Sequence, residues 1–460
     1  MRIAMVTEGS YPHHYGGVSV WCDQLVRGMP EYRFDLHAIT GTGRESLAWE
    51  LPGNATVTPI PLWGAATRRP PRGRARRRFE ELFREMLDLM LDPWEGSAAR
   101  FGGVLRELLR LGAPLCGDTS VRCVLDVWDA RRAEFERIGV TPTVHDAVTA
   151  VDLIEHSLRP LLRPAPGADV THVVANGLAV LPAFAAKWTA GTPFVLTEHG
   201  VYLRERYLGF RNSPYRWPVK ELMLSFLRLL CAAAYLEASL ITPGNKYNIR
   251  WEVRCGADPA RLRTVYNGVD PDQFEPAGTE PEAPTLSWAG RIDPIKDLET
   301  LIRAFALVHA RLPAARLRIF GGTPAGREKY LAGCKELAGE LPVVFEGRVD
   351  NIRDAYAAGH VVVLSSISEG FPYTLIEAMA TGRATVSTDV GGVREAVAGT
   401  GLVVPPRDPE AMAEACLTLL GDHELRARMG AEARERALGL FTVDRAVDSF
   451  RTLYPRLVAA

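Results

Sequence analysis

The sequence has no paired cysteines. Its seven, Cys22, Cys116, Cys123, Cys231, Cys255, Cys334 and Cys416, are scattered, odd in number and without a CxxC spacing. That excludes a disulfide framework and a zinc pattern, and it leaves reduced thiols, as in a cytosolic protein. Neither charge is in surplus: 54 Lys and Arg against 55 Asp and Glu give a formal net charge of -1, which argues against nucleic-acid binding through global charge. A long unbroken apolar run is also missing. The nearest to one, residues 222–242, is interrupted by Arg228 and Glu237 and reads as a buried helix, not a membrane span. The opening Arg2-Ile3-Ala4-Met5-Val6 reads as a strand, without the apolar region and small-residue cleavage site of a signal peptide. No short repeat is evident. What is present is ordinary enzyme composition, 47% hydrophobic and 24% charged over 460 residues, enough for two or three domains.

Apolar strand-like runs alternate with helix-like segments, the pattern of parallel α/β structure. Strands are expected at 2–7, 33–39 and 56–60, then at 170–175, 193–198, 239–242 and 263–266. A denser set follows at 285–290, 315–320, 343–346, 360–365, 384–388 and 402–404. Residues 297–311 show helical spacing through Leu298, Leu301, Ile302, Phe305 and Val308. Residues 276–284, rich in Pro, Gly and charge, read as a linker between two domains. Residues 64–165 interrupt the first strand series with amphipathic helices. They open on a basic run, Arg68-Arg69-Pro70-Pro71-Arg72-Gly73-Arg74 and Arg76-Arg77-Arg78. It reads as a solvated loop; contact with an acidic membrane or a partner is the alternative.

Chemistry concentrates at predicted strand exits. Val361–Leu364 runs into Ser365-Ser366-Ile367-Ser368-Glu369-Gly370-Phe371-Pro372-Tyr373-Thr374-Leu375-Ile376-Glu377. Pro372 near a helix start needs no amide. Free amides around Tyr373, Thr374 and Leu375 make an anion site, suited to diphosphate. Glu369 and Glu377 bracket the turn, and carboxylates accept paired hydroxyls of a sugar or ribose; two glutamates that only cap and solvate a helix are the alternative. Gly290-Arg291-Ile292-Asp293-Pro294-Ile295-Lys296 places two cations past a strand's C-terminal end, the usual ligand crevice of open α/β sheets. Asp297 after them is suited to cap a helix. Gly16-Gly17-Val18-Ser19 lets backbone approach a ligand. His199 follows a strand in Thr197-Glu198-His199-Gly200. Gly391-Gly392 reads as pocket lining or as a tight turn.

The run from Ser365 to Gly382 resembles the Glu-x7-Glu motif of glycosyltransferase family 4. The resemblance extends through Arg291 and Lys296, Gly16-Gly17, His199 and the turn Asn267-Gly268-Val269-Asp270, over nearly the whole chain. It implies that Glu369 and His199 hold the donor sugar with Gly392. Glu377 then holds the ribose, and Arg291 and Lys296 hold the diphosphate. Asn267, Phe371, Tyr373, Thr374, Leu375, Gly16 and Gly17 join the donor-binding set. Thr7–Pro12, Gly16–Trp21, Thr197–Arg206, the helical insertion and Ser366–Gly370 resemble the PelF-type branch, whose members are cytosolic, use UDP-glucose and serve Pel exopolysaccharide synthesis at an inner-membrane complex. Phe371-Pro372-Tyr373-Thr374 and Glu237-Ala238 depart from that branch's pattern.

The resemblance implies two facing Rossmann-like α/β domains, the GT-B fold. They are expected at 1–275, acceptor-side, and 284–441, nucleotide-sugar-binding, joined by the linker 276–283. A helix over 442–460 is expected to return to the first domain, anchored by Phe441, Val447, Phe450 and Leu453. The implied reaction is retaining hexosyl transfer from a UDP-sugar to a glycan acceptor. No metal or other cofactor is expected, since no DxD-type cluster is placed to hold one. A silent nucleotide-sugar-binding subunit of a membrane synthase and a synthase of a free disaccharide or glycolipid are the alternatives. A nucleic-acid-binding Rossmann protein is disfavoured by charge.

Overall fold

The computed structural model describes residues 1–64, 71–112 and 117–459. It divides into two compact units. The first comprises Met1–Pro243, Ile249–Arg263 and the chain from Arg451; the second comprises Gly244–Asn248 and Thr264–Phe450.

The first unit is built on six parallel strands: β1 (Arg2–Glu8), β2 (Arg33–Thr40), β3 (Ala55–Pro61), β4 (Val170–Val173), β5 (Phe194–Glu198) and β6 (Leu240–Pro243), in the order β3-β2-β1-β4-β5-β6. The second repeats that topology with β7 (Thr285–Ala289), β8 (Arg316–Phe320), β9 (Val343–Gly347), β10 (Val361–Leu364), β11 (Ala384–Thr388) and β12 (Leu402–Val404), in the order β12-β11-β10-β7-β8-β9. The central strands β4, β5, β7, β10 and β11 are buried at every residue, as strands covered by helices on both faces must be. Strand order reverses between β1 and β4, and again between β7 and β10. In doubly wound sheets the crevice at that reversal, beyond the C-terminal strand ends, takes the ligand.

Residues 263–266, expected as a strand, form none. Leu262 makes only an isolated bridge to Ile241, and Arg263 donates its amide to the Ile241 carbonyl. The stretch 222–242 is not one helix: Trp217–Glu237 is helical and β6 follows. Glu237 pairs with Lys187 at 2.7 Å, and the Arg228 guanidinium donates to the Met90 carbonyl at 3.4 Å. Among the described residues no helix is long and apolar enough to cross a membrane.

Between β3 and β4 lie the helices Gly73–Leu91, Ser97–Leu111, Asp118–Ala130, Arg132–Arg137 and Val144–Leu158. They share one hydrophobic core with Trp217–Glu237 and the sheet. Of the basic run, residues 68–70 lie outside the described residues. Residues 73–78 are the first turns of a helix and not a loop, because Phe79, Leu82, Phe83 and Met86 give the segment a buried stripe. Cys116 also lies outside the described residues; the other six cysteines are free thiols.

The chain's last segment is tied into the first unit. The Tyr454 hydroxyl and the Thr197 hydroxyl each lie 2.6 Å from a ring nitrogen of the fully buried His172. Burial pushes that imidazole down to about 3, so it is neutral at physiological pH. Tyr454 is the buried anchor here, whereas Leu453, expected in that role, is half-buried. Phe441 lies in the core of the second unit, against Tyr266 and Phe371.

Candidate functional site

In the second unit the exits of β7 and β10 adjoin at the strand reversal. They are stitched together: the Ser365 hydroxyl donates to the Lys296 carbonyl at 2.7 Å, and the Ile367 amide donates to the Ile295 carbonyl at 2.9 Å. This brings Lys296 onto Glu369. Lys296 Nζ donates to Glu369 Oε1 at 2.5 Å, and the Ser366 hydroxyl donates to the same oxygen at 2.6 Å. Both partners of the ion pair are largely shielded, 17% and 12% exposed at the side chain. Arg291 is exposed and makes no hydrogen bond or ion pair among the described residues. Asp297 adopts a left-handed conformation at φ 49°, and its carboxylate caps the next helix by accepting from the Thr300 amide at 3.3 Å and hydroxyl at 2.7 Å. Aspartate is among the few side chains that tolerate this geometry.

The helix Tyr373–Ala380 starts after Pro372. The Leu375 amide, expected to be free, donates to the Pro372 carbonyl at 3.2 Å. That early i→i+3 bond tightens the first turn. The Thr374 amide has no acceptor among the described residues. Phe371 and Leu375 put their side chains in the core, 4% and 2% exposed. Phe371 contributes its carbonyl, which accepts from Asn267 Nδ2 at 2.8 Å. Asn267 thus fixes the loop, and its own Oδ1 is buried without a partner among the described residues.

Glu377 is half-buried one turn along the helix, and the Tyr356 hydroxyl donates to its Oε2. Its Oε1 has no hydrogen bond among the described residues. Desolvation pushes this carboxyl up to about 7, and the Tyr356 bond opposes the shift only in part.

Gly391 and Gly392 pack on the same loop from the exit of β11. The Gly392 amide donates to the Gly370 carbonyl at 2.8 Å. Gly391 has φ 55°, and a Cβ there would lie 2.0 Å from the Glu369 carbonyl oxygen. Only glycine fits this approach. The pair therefore holds the Glu369 loop in place.

In the first unit, Gly16 is the N-cap of the helix Gly17–Gly28. Its backbone is extended, and a Cβ there would meet nothing within 4 Å, so packing within the protein does not call for glycine. His199 leaves β5 against Trp21 of that helix, ring centroids 4.7 Å apart. The turn carrying His199 is held by Glu198, whose Oε1 accepts from the Tyr202 amide at 3.3 Å and whose Oε2 accepts from the Tyr235 hydroxyl at 2.5 Å. Burial raises the Glu198 and Glu252 carboxyls, and the Glu198 charge adds to the rise at Glu252.

Sequence reasoning gives Ser366 no role of its own, although it stands three residues before Glu369 in a turn, and it does not single out Tyr356 or Tyr235. Both tyrosines act across the fold and leave no local signal. Among the described residues no group of three or more His, Cys, Asp or Glu could hold a metal ion.

Residues 1–260 match the family described as Domain of unknown function (DUF3492), and residues 283–422 match Glycosyl transferases group 1. Sulfoquinovosyl transferase SQD2 of Arabidopsis thaliana is 28% identical over 74% of this chain and 66% of its own length. D-inositol 3-phosphate glycosyltransferase 2 of Catenulispora acidiphila is 37% identical over 40% of this chain and 48% of its own. The chain thus spans from about half to 66% of the length of these curated relatives. Sucrose-phosphate synthase of Thermosynechococcus elongatus shares the fold over 100% of this chain and 99% of its own, at a TM-score of 0.65 and 19% identity. HepE of Anabaena, solved with UDP and glucose, does so over 98% of both chains, at 0.61 and 16%. The protein belongs to the DUF3492 family, with a GT-B fold whose second unit carries a glycosyl transferases group 1 domain.

Proposed function

We propose that the protein is a retaining, metal-independent glycosyltransferase that moves a hexose from UDP-glucose to a glycan acceptor. Its proposed setting is exopolysaccharide synthesis of the Pel type, in the cytoplasm beside an inner-membrane polysaccharide synthase. The observation that carries this reading is the Lys296–Glu369 pair at the strand reversal, with Arg291 at the exit of β7 and the Thr374 amide both without a hydrogen-bond partner among the described residues. A diphosphate takes Arg291, Lys296 and that amide as its donors. Glu369, relieved of Lys296, is then free to accept hydroxyls of the hexose. Glu377 Oε1 accepts from the ribose. HepE of Anabaena, which shares the fold, is solved in complex with UDP and glucose, and this supports the donor class.

In the proposed reaction the bond from the anomeric carbon to the diphosphate oxygen breaks. The acceptor oxygen bonds to the same face of that carbon, and its proton passes to the departing diphosphate. Two cations and an amide aimed at the developing negative charge supply the electrostatic stabilisation. The relatives named for D-inositol 3-phosphate favour a second reading, a synthase of a small glycoside.

Calorimetric titration with UDP, GDP and ADP tests the donor. UDP is expected to bind tightest. A GDP preference removes the Pel-type assignment, and no binding of any of the three removes the nucleotide-sugar reading.

A further inference from the structure

The second unit has a cavity of about 610 Å³ at the N-terminal ends of β10 and β11. That is the sheet edge opposite Lys296 and Glu369. Its chemistry comes from Glu280, His360, Arg383, His423 and Arg426. Arg426 holds Glu280 in a bidentate pair, Nε to Oε1 at 2.7 Å and Nη2 to Oε2 at 2.6 Å. The guanidinium keeps that carboxyl below the usual range, so it is ionised at neutral pH. His360 accepts the Thr285 amide on Nδ1, and burial pushes its imidazole down, so it carries no charge there.

Arg383 lacks a comparable partner. It is 6% exposed, and among the described residues its Nη2 donates only to neutral carbonyls, of Thr279 at 3.1 Å and Ala357 at 3.2 Å, while its Nε is buried with no acceptor. Two guanidiniums therefore share one carboxylate, and the lining keeps a net positive charge. A buried charge without a counter-ion is costly, and the volume is that of a small-molecule pocket.

We propose that this cavity binds a small molecule carrying a phosphate monoester, at a site separate from the donor's. Phosphate suits the lining because its oxygens accept from a guanidinium and an imidazole at once, and arginine pairs with it strongly. The remaining volume takes a short polar body attached to the phosphate.

Calorimetry on the full chain tests this, with glycerol 3-phosphate, inorganic phosphate and citrate as probes, with and without saturating UDP. Glycerol 3-phosphate is expected to bind one site and to keep its affinity in UDP. Arg383→Gln should weaken it at least about tenfold. Ala427→Glu, at an exposed position of the lining, should do the same without touching the core, while Ala427→Gln leaves binding intact. Four results overturn the proposal: no binding of either phosphate at millimolar concentration, loss of binding in UDP, equal affinity in Ala427→Glu and the natural protein, or tighter binding of citrate than of both phosphates.

Discussion

Replacing Glu377 by Gln should make the ligand-free protein more stable above neutral pH while weakening UDP binding. The carboxyl is raised from 4.5 to about 7 by desolvation. A folded pKa above the unfolded one means that the folded state binds more protons between those values. The group's contribution to stability is thus full below pH 4.5 and is lost as pH rises through about 7. Shifts of this size correspond to about 3 kcal/mol. Gln does not titrate, keeps the shape and still accepts the Tyr356 hydroxyl. The stability gap between Gln and Glu should therefore widen by about 2–3 kcal/mol between pH 5 and pH 8. For a unit of this size that is roughly 5–10 °C in melting temperature. Urea unfolding at the two pH values, with hydrogen exchange at β10 to locate the change, measures it. A variant less stable at pH 8, or a gap that does not change with pH, refutes the reasoning. So does unchanged UDP affinity, which would take Glu377 out of the ribose site.

Arg291→Ala and Lys296→Ala should each lower turnover by about 10²–10³-fold with the fold retained, the scale of losing one donor to a developing anion; steady-state kinetics and circular dichroism check both halves. Gly391→Ala should cost both stability and activity, because its Cβ would stand 2.0 Å from the Glu369 carbonyl oxygen at φ 55°. A normal melting temperature with normal turnover in that variant would show that the loop does not need this approach.

Twelve of the thirteen expected strands are present because short buried apolar runs bounded by Gly, Pro and polar turns have few other readings. Residues 263–266 misled because Arg263-Thr264-Val265-Tyr266 has strand composition, yet only the Ile241–Leu262 bridge forms there. The helix at 73–78 hid behind its arginines, since the buried stripe starts only at Phe79. Lys296 and Glu369 were each visible in the sequence. Their direct bond was not, because it depends on β7 and β10 being neighbours, a property of topology and not of spacing. For the same reason the core placement of Phe371, through Tyr266 and Phe441, left no local trace.

The central claim is transfer from a nucleoside-diphosphate hexose with retention and without metal. Proton NMR of an EDTA-treated reaction with UDP-glucose, followed from the first turnovers, tests it most directly. The account predicts release of UDP with an α-configured product, whether the acceptor is a glycan or water. A β-configured first product, or activity that returns only with added magnesium or manganese, would contradict it.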